Sequence, residues 1–196
     1  LTTDRFGYAN SAYSFDGVDD VISMPSPISG YAEFTSSAWI KLGSDLLLYE
    51  NALQVGLGAI SYHTTSEVLV LDIYPDRNGG AGNGSSVSTK YTYEPSISGL
   101  QANWLHVAFA VDANNTGDIF LNGVIASSVS RQTDGGVVGN YEQTRVGATY
   151  DSRTSDTHTY FHGLIDDVYI YNRALSATEV QTLFSAIPEP GLPPSN

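Results

Sequence analysis

The chain has no cysteine, only one methionine, few basic residues and no long apolar run. Without cysteine, thiol nucleophiles and thiolate metal centres are excluded, and no disulfide staples the fold. At 196 residues the chain is long enough to bury its own core without staples. Lys and Arg number 8 against 21 Asp and Glu, for a net charge of −13. Phosphate recognition needs basic residues, so nucleic acid is not an expected partner, and neither is an anionic membrane surface. No stretch approaches the roughly 20 apolar residues of a membrane-spanning helix, so no membrane insertion is expected. The opening LTTDRFGYAN shows neither the basic start nor the apolar centre of a signal peptide. An acidic surface favours solubility, and where carboxylates converge it suits divalent cations.

What the chain does have is short alternating runs separated by Gly, Asn, Asp and Pro. SSAWIKL sets Ala38, Ile40 and Leu42 against Trp39 and Lys41. WLHVAFAVD places Leu105, Val107, Phe109 and Val111 on one face, and Trp104, His106, Ala108 and Ala110 on the other. Asn122-Gly123 between apolar runs is a strong hairpin signal. About ten to thirteen strands result, at the spacing of a sandwich. A single helix is signalled in RALSATEVQTLF. Ser176 is its N-cap, Glu179 completes a capping box, and Leu175 and Val180 have staple spacing. With Val180, Leu183 and Phe184 as an apolar stripe, the helix is expected to close an open end of the sandwich. YPDRNGGAGNGSSVSTK and YDSRTSDTHTY read as long loops, and long loops in compact domains often carry function. The expected division is a domain over 1–186 and a Pro-rich tail or linker over 187–196.

Motifs for catalysis are absent from the sequence. No Glu has a partner at the spacing of a retaining glucanase. The 4 histidines form neither His-x-x-x-His nor His-Glu-x-x-His. His106 reads as a structural histidine beside Trp104, and His158 and His162 as hydrated loop residues. NGGAGNG lacks the Lys-Ser/Thr of a phosphate loop. Thirteen tyrosines exceed what the core needs, so some are expected at the surface, where they stack on sugars or meet proteins. The candidate ligand-binding group is Tyr74, Asp76 and Asn78 in one long loop, with Tyr150, Asp151 and Arg153 in the other.

Three segments, SAYSFDGVDDVISMP, LQANWLHVAFAVD with IFLNGV, and FHGLIDDVYIYNRALSATEV, occur in an order that resembles the bacterial LamG-like jelly-roll domains of the concanavalin A-like lectin/glucanase superfamily. The resemblance runs from residue 1 to about 186 and implies an all-β fold: a two-sheet antiparallel jelly-roll sandwich with one short C-terminal helix. It also implies a non-catalytic module of a secreted or cell-surface bacterial protein, monomeric within a larger chain. The implied partner is a glycan or cell-surface polysaccharide. The alternatives are a protein-binding or spacer module of an adhesin and, third, a polysaccharide lyase or hydrolase. Alginate lyases of this fold need Arg-Thr-Glu-like and Gln-Ile-His strands, and neither is present.

Calcium is the cofactor the resemblance implies. FDGVDD lacks the spacing of an EF-hand, so the ligands must come from distant segments. In a jelly roll of this type the first and last strands are neighbours, which brings FDG towards LIDDV. The closing-strand Asp that holds calcium in related glucanases corresponds to Asp166. Asp16 and Asp4 complete the candidate ligand set. Simple alternation puts Asp166 on a face with Val168 and Ile170, where a buried charge needs a cation or an Arg. Asp19 and Asp20 read as turn caps, and Asp167 as a partner of Arg173 or solvent.

Overall fold

The computed structural model describes residues 1–25, 27, 31, 33–43, 49–55, 58–63, 68–73, 102–113, 116–130, 143–150 and 158–187. Among them are two main antiparallel sheets. One has six strands, in the order β1 (Tyr13–Asp16), β13 (His162–Tyr171), β3 (Phe34–Leu42), β7 (Leu105–Val111), β8 (Thr116–Leu121), β9 (Val124–Ser130). The other has five, in the order β2 (Ile22–Pro25), β10 (Gln143–Val146), β4 (Tyr49–Val55), β5 (Gly58–His63), β6 (Val68–Ile73). A two-stranded ribbon joins β11 (Ala148–Tyr150) to β12 (His158–Tyr160), and α1 (Ala177–Ser185) follows the last strand. The first and last strands of the sandwich pair, with Phe15 opposite Gly163.

Alternation along β3 and β7 builds two apolar layers from one sheet. Phe34, Ala38, Ile40 and Leu42 of β3 join Leu105, Val107, Phe109 and Val111 of β7 between the sheets, with Phe15, Ala52, Val146 and Ile165. Burying these side chains is the main drive to fold, at about 25 cal/mol per Å² of apolar surface. Phe34 and Phe109 meet edge to face at 5.3 Å. The outer face of the same sheet carries Ala108, Ala110 and Phe120, and these pack under Leu175 and Val180. Helix α1 therefore lies on the outside of the six-stranded sheet, and does not plug an end of the sandwich as its sequence position suggested. The short side chains Ala108 and Ala110 leave room for it.

Its capping box forms as the sequence predicts: the Ser176 hydroxyl accepts from Glu179 N, and the Glu179 carboxylate accepts from Ser176 N at 2.9 Å. Arg173 forks onto the same carboxylate at 2.7 and 3.1 Å, which with the Ser176 bonds holds Glu179 down at a pKa of about 2. Asn122 and Gly123 both have positive φ, at 50° and 77°, the geometry of the two-residue turn that joins β8 to β9.

One strand departs from simple alternation. In β13 the pairing with β3 passes from Asp166↔Trp39 directly to Tyr169↔Ser37, and Asp167 sits at φ 45°. This bulge sets two residues against one and inverts the phase of the strand. Ile165 faces the inner core before it; Val168 and Ile170 pack there after it. Asp166 therefore does not share their face, as strict alternation predicted. It points outward, towards Trp39 and the helix side.

Candidate functional site

The residues proposed for calcium fall into two groups that the fold keeps apart. Asp16 pairs with His162, so Asp166 lies four positions further along β13, roughly 13 Å at ordinary strand rise. The strands are neighbours, but their register does not bring the two carboxylates together.

Around Asp166 the compensating charge is an arginine. Arg5 Nη1 donates to Asp166 Oδ2 at 3.2 Å and to Asp167 Oδ2. The Arg5 and Asp166 side chains are only 6% and 8% exposed, and Asp167 is 30% exposed. The bulge makes this possible, because it turns two successive carboxylates towards one guanidinium. Arg5 Nη2 also donates to the carbonyl of Ala186 at the end of α1, at 3.4 Å. Its Cζ lies 4.3 Å from the Phe6 ring centre and 4.4 Å from that of Trp39. Asp4 is adjacent, but its Oδ1 accepts from Phe6 N and Tyr8 N and shapes the opening loop. The junction expected to bind a cation is thus held by a guanidinium, and this donor set does not fit calcium. Arg173, one of the two partners expected for Asp167 beside solvent, is engaged with Glu179 instead.

His106 lies on the same outer face, opposite Trp39 in the register. Its ring neighbours are Trp39 at 5.3 Å and Phe184 at 5.9 Å, in place of the Trp104 expected from sequence. Trp39 and Phe184 stack at 5.5 Å. Burial first, then the Arg5 charge, hold His106 down at a pKa of about 4, against the pull of Asp167. Burial first, then Asp167, push Asp166 up to about 6, while the Asp167 amide and Arg5 pull it down. His106 Nδ1 and Ser37 Oγ on this face have no hydrogen-bond partner, at a cost of about 1–3 kcal/mol each for a buried polar atom.

The FDGVDD turn forms its own cluster. Asp16, Asp19 and Asp20 each offer a carboxylate oxygen within 4.8 Å of the others, and all three are exposed. Asp20 Oδ2 accepts from Asp16 N and Asp16 Oδ1 from Val18 N, so the turn holds two of them in place. Gly17 reverses the chain at φ 80°. The three carboxylates read separately as one ligand candidate and two caps therefore converge. An all-oxygen, solvent-facing set of this kind fits a hard cation such as calcium. The missed signal was the spacing itself: a glycine-centred turn folds Asp16 back onto Asp19 and Asp20.

Of the candidate binding loops, Tyr74, Asp76, Asn78, Asp151 and Arg153 lie outside the described residues. Tyr150 ends β11 opposite His158, so residues 151–157 connect the two strands of the ribbon.

An antiparallel two-sheet jelly roll with a helix on one outer face defines the class of protein. The chain belongs to the concanavalin A-like lectin/glucanases superfamily, whose laminin-G-type family model matches residues 16–181. No curated protein shows significant sequence similarity to it. Solved structures with the same fold include a heptameric SAP-like pentraxin from Limulus polyphemus, 14% identical, with a TM-score of 0.62 over 88% of this chain and 80% of that one. The ligand-binding domain of botulinum neurotoxin serotype D, solved with N-acetylneuraminic acid, is 13% identical, with a TM-score of 0.65 over 90% of this chain and 42% of that one. A Trypanosoma rangeli sialidase is 19% identical, with a TM-score of 0.62 over 89% of this chain and 27% of that one. At these identities the likeness shows the fold alone.

Proposed function

We propose that this domain is a non-catalytic carbohydrate-binding module of a secreted or cell-surface protein, with a structural calcium at Asp16, Asp19 and Asp20. The observation that carries the reading is the match of residues 16–181 to a superfamily named for its lectins. It is supported by a fold shared with a domain solved with N-acetylneuraminic acid. Sugar contact is assigned to Tyr74, Asp76, Asn78, Tyr150, Asp151 and Arg153, where tyrosine faces stack on rings and polar groups set orientation. The net charge of −13 favours a neutral glycan, or an acidic one bridged by the cation. The test is a glycan array in calcium and again after chelation, with metal content measured on both samples. Binding to a defined sugar that Tyr150→Ala weakens supports the reading. No sugar binding, with capture of a defined protein ligand, replaces it with a protein-binding module. The botulinum neurotoxin DC binding domain, solved with rat synaptotagmin II, shows that this fold also presents protein surfaces.

A further inference from the structure

We propose that α1 and the opening loop, residues 1–12, form a latched cover that lifts as a unit from the outer face of the six-stranded sheet. Arg5 is the latch, and lifting uncovers Trp39 and His106 while the sandwich stays folded.

The apolar hold of the helix is one compact patch, in which Val180 and Leu183 pack on Ala108, Ala110 and Phe120. Val180 is the buried residue of α1, and Phe184 contributes its stack on Trp39. The helix ends at Ala186 in an extended conformation, without a glycine cap and without a basic residue in its last turn. Its terminal carbonyls carry partial negative charge. Positive charge reaches them from Arg5 of the opening loop, through the bond to Ala186 O. The same guanidinium lies over Trp39 and grips Asp166 and Asp167. Loop, bulge and helix end therefore depend on one side chain. The loop is itself a closed unit, with Thr2 bridged to Ala12 and Asp4 N bonded to Tyr8 O.

Docking also has a standing penalty. His106 Nδ1 and Ser37 Oγ are buried unpaired on the covered face, and Arg5 and Asp166 are largely removed from water there. Lifting the cover returns His106, Arg5 and Asp166 to solvent. Two more unpaired hydroxyls, Ser36 Oγ and Thr144 Oγ1, are buried elsewhere. Ser36 alternates with Ser37 and faces the inner layer, where hydration would require the sheets to part. The cheap opening is therefore on the outer face, and its product is an aromatic strip on an intact sandwich.

Native-state hydrogen exchange on the whole chain tests this, with iodide quenching of Trp39 in a Trp104→Phe background. The amides of Val180, Leu183, Phe184 and Asp4 are expected to share one opening constant, at least about tenfold larger than that of the β7 amides. Arg5→Gln is expected to raise that constant about tenfold further, and iodide access with it, and to raise the β7 constant by no more than the same factor, so that the gap between cover and β7 persists. Exchange of α1 in step with β7 overturns the proposal. So does graded fraying from Ser185 with the loop unaffected, or an Arg5→Gln protein that behaves as wild type. Should Arg5→Gln not fold, Phe184→Leu retains the ion pairs and is held to the same pattern.

Discussion

Arg5 joins groups 161 and 162 positions away in sequence, and its loss has a definite expected outcome. Arg5→Gln leaves Asp166 and Asp167 facing each other without a counter-charge. Because lifting the cover returns both carboxylates to water, the expected cost is about 1.4 kcal/mol, the tenfold rise in the opening constant, and urea unfolding measures it. The same cluster makes a pH prediction. Asp166 is raised to about 6, so between pH 4 and 6 the folded protein holds a proton that the unfolded chain has released. Its contribution is present in acid and is lost as pH rises through 6. His106 is lowered to about 4, so between pH 4 and 6.5 the unfolded chain holds the extra proton. Its contribution grows as pH rises through that window. The two slopes oppose, each worth roughly 3 kcal/mol for a shift of about two units. Asp166→Asn removes one of them. The stability gap between wild type and this variant is expected to move in favour of wild type by roughly 3 kcal/mol from pH 7 to pH 4. A gap that does not change with pH would contradict the raised carboxyl. From sequence, the need for compensation at Asp166 was legible, and an arginine was one of the two answers. Which answer held was not legible, because it depended on a contact between the two ends of the chain.

At the scale of elements, local signals served well where the chemistry is local. The capping box, the Asn122-Gly123 turn and the alternation of β7 all follow from neighbouring residues, and the structure shows each of them. Ser176→Ala is expected to cost about 1 kcal/mol, read from thermal unfolding, because it removes one half of the box. The bulge in β13 was not legible. Its one-residue phase change has no compositional mark, since Asp167 adopts a left-handed conformation that glycine would advertise and aspartate does not. Reading past it by parity put Asp166 on the wrong face. Gly147 is a second point of tight fit between elements. It has φ 85°, and a Cβ there would stand 2.1 Å from the Phe15 ring. Gly147→Ala is expected to destabilise by about 2–4 kcal/mol, from overpacking and backbone strain together, with a matching fall in the urea midpoint.

For the whole molecule, the jelly roll was legible because three ordered segments carry it, and residues 16–181 match the family. The site was less so. Pairing of the first and last strands was expected, but pairing alone does not give register, and register separates Asp16 from Asp166. A calcium at Asp16, Asp19 and Asp20 would bind only the folded turn and so raise stability by mass action. At a free calcium a hundred times the dissociation constant, the gain is about 2.7 kcal/mol. Differential scanning calorimetry in calcium chloride against sodium chloride of equal ionic strength separates binding from screening of the −13 charge. Asp19→Asn is expected to abolish the calcium-specific rise. Equal melting temperatures in the two salts would remove the metal from the account.

Arg5 also bears on where this domain can be cut. The family match opens at residue 16, eleven positions after the arginine and three after the start of β1. A recombinant fragment trimmed to 16–181 would keep Asp166, Asp167, Trp39 and the first half of α1, but would lose Arg5, Phe15 and Phe184. Such a fragment is expected to express poorly or aggregate, and one beginning at residue 1 to behave well. The workable border of this module is set by side chains that lie outside its recognisable pattern.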